Sequence, residues 1–275
     1  MKLVAVGDVM VDVVCAETPP LGTRVHAEVS VRAGGSAVNA AMCAAAAGAQ
    51  ASVCGRIGAD PAGDLVSASL AAHGIEAHLA RDEDLPTGAA VALGAGDTVG
   101  IVADRGANAR LSPADLPDRL EADALLVSGF ALFQSGSHEA ARAAFHRFGG
   151  DWAGVDLASP KLAAGADLDV GANVVFATAN EARAVTGAEP EEAVRTLASR
   201  FDVACVKLGA EGALAARGAR VERCAATATS RRSPFGAGDA FAAAFLVALA
   251  RGDDLATILQ RACEAGARAS NPDED

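Results

Sequence analysis

Short apolar runs alternate with longer alanine-rich stretches of helical period along most of the chain. The runs fall near residues 3–6, 51–54, 124–128, 154–156, 173–176 and 203–208, with helical patterns near 37–47, 62–72, 139–148 and 191–200 between them. Strands that are apolar at consecutive positions need cover on both faces, and crossover helices supply it. The alternation therefore predicts a three-layer α/β/α fold with a mostly parallel sheet. Two stretches interrupt it, roughly 10–32 and 87–104, where 90–93 and 99–103 read as a hairpin across 94–98. Both are assigned to one small β-rich lid. The last third reads as antiparallel strands at 212–216 and 220–224, helices at 237–250 and 255–269, and a frayed acidic tail at 271–275. With 275 residues and no low-complexity linker, the sheet forms a single domain interrupted by the lid.

A net charge of −12 argues against a nucleic-acid or anionic-membrane surface, since either needs a clustered basic face to neutralise phosphates. Any anionic ligand must then be held locally. The cysteines at 15, 43, 54, 205, 224 and 263 form no CxxC pair and no zinc spacing, so they read as free thiols in a reducing compartment. The apolar run after Met1 stops at Gly7-Asp8, too short for a signal segment or a membrane span. The expected setting is the cytoplasm. The histidines show no ligand spacing, and Trp152 reads as core.

The segment Phe235-Gly236-Ala237-Gly238-Asp239-Ala240-Phe241, followed by an apolar run, places a glycine-rich turn at a helix start. Unpaired backbone N–H groups converge there, the helix dipole adds positive potential, and glycines let a phosphate approach closely. A helix start of this kind is an anion site. Asp239 is placed to accept the proton of an attacking hydroxyl, although an acidic residue at an ordinary glycine turn has the same local appearance. No lysine follows a glycine, which excludes a P-loop, and the first strand ends in Gly7-Asp8-Val9 rather than a dinucleotide fingerprint. A second cluster, Gly34-Gly35-Ser36-Ala37-Val38-Asn39, opens another helix; its glycines admit a ligand, and Asn39 offers a donor and an acceptor to a polyol. In Gly55-Arg56-Ile57-Gly58-Ala59-Asp60-Pro61, Asp60 reads as a helix N-cap with Pro61 in the first turn.

Taken together, GGxxxN, GxIGxDxxG and GAGD, in that order, resemble the signatures of the ribokinase-like (PfkB) carbohydrate kinases over nearly the whole chain. The resemblance implies a kinase using ATP and Mg2+, with Asp239 as catalytic base and the preceding turn as anion hole. It aligns Asp12 with a substrate-hydroxyl ligand, and Gly34, Gly35 and Asn39 with the sugar-binding turn. Lys207, Gly209 and Gly212 resemble the nucleotide loop, Lys207 either lying against the phosphates or facing solvent. Glu181 aligns with the glutamate that organises magnesium, or is simply a helix-start acid. Arg105, in Asp104-Arg105-Gly106-Ala107-Asn108, either reaches an anionic substrate such as a sugar acid or phosphate, or lies on the surface. A homodimer formed through the lid is the further implication.

Four positions depart from the family pattern: Thr178 replaces an asparagine, Ser233-Pro234 replace Asp-Thr, and Cys263 stands where relatives often carry asparagine. The loss of a carboxylate at Ser233 weakens the case for potassium activation. The acceptor side is thus more typical than the nucleotide side. The sequence predicts phosphorylation of a hydroxyl on a small sugar, sugar acid or nucleoside; the alternative is a catalytically impaired binding or regulatory protein.

Overall fold

The computed structural model describes residues 1–15, 17–94, 99–227 and 235–270. The first half of the chain runs β1 (Lys2–Val6), β2 (Met10–Cys15), β3 (Val29–Gly34), α1 (Ser36–Ala46), β4 (Gln50–Gly58), α2 (Pro61–Ala72), β5 (Glu76–Asp82), β6 (Thr87–Leu93) and β7 (Gly100–Gly106). The second half runs β8 (Ala124–Ser128), α3 (Gly129–Leu132), α4 (His138–Arg147), β9 (Trp152–Asp156), α5 (Pro160–Ala163), β10 (Val174–Thr178), α6 (Ala179–Thr186) and α7 (Pro190–Ala198). It ends with β11 (Val203–Lys207), β12 (Ala213–Arg217), β13 (Arg220–Cys224), α8 (Ala237–Ala250) and α9 (Leu255–Ala269).

The central sheet has the order β13-β12-β11-β10-β9-β8-β1-β4-β5. From β5 to β11 neighbouring strands are parallel, and β12 and β13 add an antiparallel edge. Burial on both faces explains why these strands read as unbroken apolar runs. In β1, Leu3 and Ala5 face one core cluster while Val4 and Val6 face the other; in β10, Val174 and Phe176 oppose Val175 and Ala177. The first cluster is covered by α1, α2, α8 and α9, and the second by α3, α4, α6 and α7. Phe176 meets Phe245 of α8 edge-on at 5.3 Å, tying helix to sheet. Helix α8 is buried without interruption from Ala240 to Leu249, and its alanines let α1 and α9 pack closely on either side. Among the described residues no helix is long and apolar enough to cross a membrane.

The chain leaves β1 toward β4 and β5, then returns to the other side of β1 with β8. Ligands of open α/β sheets bind at such a reversal, outside the carboxyl ends of the strands. Over that end lies a second, four-stranded sheet of order β3-β2-β6-β7, in which β2 and β6 are parallel and the outer pairs antiparallel. Its last strand continues to Gly106, so Arg105 belongs to β7 rather than to a turn beyond it. The expected hairpin tip at 95–98 lies outside the described residues, as do Ser233, Pro234 and the tail 271–275. Strand β5, an edge strand rich in polar residues, and the four-residue helices α3 and α5 were absent from the sequence reading. Asp60 does cap α2, accepting from the Gly63 N–H at 2.8 Å.

Candidate active site

The strands of the parallel sheet end at one cavity of about 590 Å³, where Asp8, Ser128, Asp156, Thr178 and Lys207 follow or close β1, β8, β9, β10 and β11. Helix α8 enters from the side. Its N-cap, Gly236, takes the left-handed conformation (φ +87°), and the turn brings Gly236 and Gly238 to the cavity wall at the end of the helix that carries its unpaired N–H groups. Asp239 sits in the first turn. Its Oδ2 accepts a 2.9 Å hydrogen bond from Nδ2 of Asn39 on α1, joining two glycine-opened helices two hundred residues apart in sequence. Burial pushes the Asp239 carboxyl up to about 7; the Asn39 bond opposes this, Asp156 adds to it, and Lys207 opposes it.

Asp12 approaches from β2. It is 1% exposed, and its Oδ2 is buried with no hydrogen-bond partner. Burial raises its pKa to about 6 against the attraction of Arg32. Gly34, diagonal to it at the end of β3 and paired with Met10, is necessary because a Cβ there would overlap the Asp12 carboxylate. Gly35, at φ +89°, caps α1 and passes so close to the Asp8 carbonyl that a side chain would collide with it. The sequence reading missed Ser36, whose buried Oγ is also without a partner beside the cavity.

Lys207 does not face solvent. Its Nζ donates to Oδ2 of Asp156 at 2.6 Å, and Gly238 leaves room for it, since a Cβ there would stand 3.3 Å from Nζ. Asp156 was read only as the end of a strand. A carboxylate closing a parallel strand, opposite a lysine closing another, was the signal available for it.

Glu181 lies beside this pair. It forms a capping box with Thr178: the glutamate accepts from the Thr178 N–H at 2.7 Å, and the threonine hydroxyl accepts from the Glu181 N–H at 3.3 Å. Glu181 is a helix-start acid that also lines the cavity. Burial raises its pKa first, and Asp156 second. Thr178 uses its hydroxyl as the cap of α6, while Asn180 is exposed. Among the described residues no set of three or more His, Cys, Asp or Glu side chains is grouped to hold a metal by itself.

Four other residues singled out in the sequence take these positions. Arg105 lines the cavity rather than the outer surface, and it donates to the Asp8 carboxylate through Nε and Nη2, the latter at 2.7 Å. Gly209 and Gly212 do not line the cavity. Gly212 is fixed instead by the return of the chain, where a side chain would strike the Cys224 carbonyl. Cys263 is buried on α9 within the core beneath α8, with its thiol pushed up to about 12 chiefly by burial.

The model of the pfkB family of carbohydrate kinases matches residues 1–269. The chain belongs to that family. Its fold is that of the ribokinase-like kinases. A PfkB protein from Polaromonas sp. JS666 is 28% identical, with a TM-score of 0.79 over 98% of this chain and 95% of that one. A putative Ribokinase II from E. coli, in complex with ATP and Mg2+, is 18% identical with a TM-score of 0.87 over 98% and 92%. The adenosine kinase from Sinorhizobium meliloti is 21% identical with a TM-score of 0.83 over 96% and 92%. The bifunctional protein HldE of Ectopseudomonas mendocina is 42% identical over 93 residues, 31% of this chain and 19% of that protein, so the match spans about a fifth of its length.

Proposed function

We propose that this pfkB family member transfers the γ-phosphate of ATP to a hydroxyl of a small sugar or nucleoside, with Asp239 as the general base. The observation that carries the reading is the pairing of Asp239 with the α8 N-terminus: a proton acceptor and an anion site share one helical turn. A carboxyl raised to about 7 is matched to taking a proton near neutral pH. Asn39 orients it, and the unpartnered Oδ2 of Asp12 suits a substrate hydroxyl. Adenosine kinase among the similar structures agrees with an acceptor of this size.

The residues present fit magnesium-bound ATP. Backbone N–H groups at Gly236–Gly238 and the Lys207 ammonium suit phosphate oxygens, and Glu181 and Asp156 suit a hard cation that keeps waters and phosphates as its other ligands. When bound, magnesium and ATP supply the phosphoryl group and neutralise charge on its oxygens. The protein contributes position, a dry cavity and a proton acceptor. The four-stranded sheet acts as a lid over the acceptor and excludes water that would otherwise compete for the phosphoryl group. Its Val29, Val31 and Val102 are exposed on one face of the lid, opposite to the face that carries Ile101 into the cavity, and these apolar positions suit pairing of two copies through their lids in the cytoplasm.

The test is incubation with magnesium-ATP and a panel of sugars and nucleosides, read as ADP release and as a product heavier by one phosphoryl group. Acceptor-dependent phosphorylation supports the reading. Binding of an acceptor without ADP release above background would favour a non-catalytic binding protein.

A further inference from the structure

Arg105 is one of two cations among the described residues that line the cavity, and its charge is already paired inside the protein. Asp8 accepts from Nε at 3.0 Å and from Nη2 at 2.7 Å, a two-pronged pair whose side chains are 15% and 7% exposed. Nη2 also donates to Ser137 Oγ at 3.0 Å, and that hydroxyl donates to the Ala131 carbonyl. The pair is held from both ends. Buried Asn108 accepts from the Val9 N–H and donates to the carbonyls of Val9 and Arg105, fixing the segment after β1 against the end of β7.

The remaining charges point the same way. Asp8, Asp12, Asp156, Glu181 and Asp239 line the cavity against Arg105 and Lys207, and each of these two cations has a carboxylate partner. Arg32 stabilises Asp12 from β3 but does not line the cavity. The lid and α3 add the uncharged walls Met10, Ala90, Ile101, Ala103 and Phe130. At the lid end, away from Lys207 and the α8 N-terminus, an anionic group of the acceptor would lose its hydration without gaining an unpaired cation among the described lining residues, and burial of a charge without a partner is costly.

We propose that Asp8 determines acceptor specificity: by occupying Arg105 it closes the site to sugar acids and sugar phosphates, and the acceptor is a neutral polyol or nucleoside. The proposal rests on the kinase reading above only in calling the ligand an acceptor. Removing the Asp8 charge leaves a partly buried guanidinium without its partner, and a carboxylate or phosphate matches that fork in geometry and charge.

Calorimetric binding of two matched pairs tests it: D-gluconate against D-sorbitol, and D-ribose 5-phosphate against D-ribose. The proteins are wild type, Asp8→Asn, and Asp8→Asn combined with Arg105→Met. Wild type should bind neither anion more tightly than its neutral counterpart. Asp8→Asn should gain about tenfold or more in affinity for at least one anion and nothing for the neutral partner, and the double variant should lose that gain. Wild-type preference for an anion by tenfold or more would overturn the proposal without recourse to any variant. Folded Asp8→Asn protein that gains no anion affinity would overturn it as well. Binding is read without turnover, so a failure of the kinase reading would appear separately, as absent ADP release with every acceptor.

Discussion

Replacing Asp12 by asparagine should stabilise the ligand-free protein at alkaline pH while weakening its hold on the acceptor. The folded carboxyl keeps its proton up to about pH 6, whereas the unfolded one releases it near 3.8, because burial outweighs the attraction of Arg32. The folded state therefore binds this proton more tightly. Wild type loses stability as pH rises from about 4 through about 6, and the loss is complete above that. At about 1.4 kcal/mol for each pH unit, the displacement from 3.8 to about 6 corresponds to about 3 kcal/mol at pH 8, and to about 1 kcal/mol at pH 4.5. An asparagine amide inherits the position of the unpartnered Oδ2, which costs about 1–2 kcal/mol at any pH. That cost cancels when two pH values are compared. Urea unfolding followed by the fluorescence of Trp152, the single tryptophan, should show the stability of Asp12→Asn relative to wild type improving by about 2 kcal/mol between pH 4.5 and pH 8. A relative stability that is constant across this range, or that moves the other way, would refute the claim that Asp12 is held charged at the cost of folding to serve a ligand.

With Asp239 required as the carboxylate, kcat/KM should fall about tenfold per pH unit below about 7 and level off above it; a rate–pH profile in mixed buffer at constant ionic strength checks this. Lys207→Met leaves the half-buried Asp156 carboxylate without its 2.6 Å partner, so the variant should lose about 1–3 kcal/mol in denaturant unfolding; an unchanged midpoint would contradict the pairing. Gly34→Ala pushes a methyl group into the Asp12 carboxylate, so KM for the acceptor should rise about tenfold or more while KM for ATP stays within about twofold. Equal effects on both constants would show that the glycine serves the fold rather than the acceptor.

Much of the architecture was legible because it is written locally. Helices α8 and α9 occupy the predicted spans 237–250 and 255–269, since each is a continuous apolar or amphipathic pattern with a sharp start, Gly236 for one and Asp254 for the other. The parallel strands announced themselves by being apolar on both faces. Strand β5 was silent because Glu76, His78 and Arg81 sit on an edge, where water replaces one neighbour and removes the apolar run. Helices α3 and α5 were silent because four residues make little more than one turn and show no periodicity. The site was legible where glycines mark close approach, as at Gly34, Gly35 and Gly236. It was not legible where chemistry depends on partners distant in sequence. Nothing near Lys207 indicates that Asp156 turns it inward, and nothing near Arg105 indicates that Asp8 satisfies it.

The central claim is that Asp239, at the N-terminus of α8, takes the acceptor proton during phosphoryl transfer. Its most direct test is the rate of phosphorylated-acceptor formation by wild type and Asp239→Asn at pH 8, at saturating magnesium-ATP and acceptor, with ATP-analogue binding measured alongside. The amide preserves shape and can still meet Asn39, so the fold and nucleotide affinity should persist while turnover falls by about two to four decades. Turnover within twofold of wild type would contradict the account.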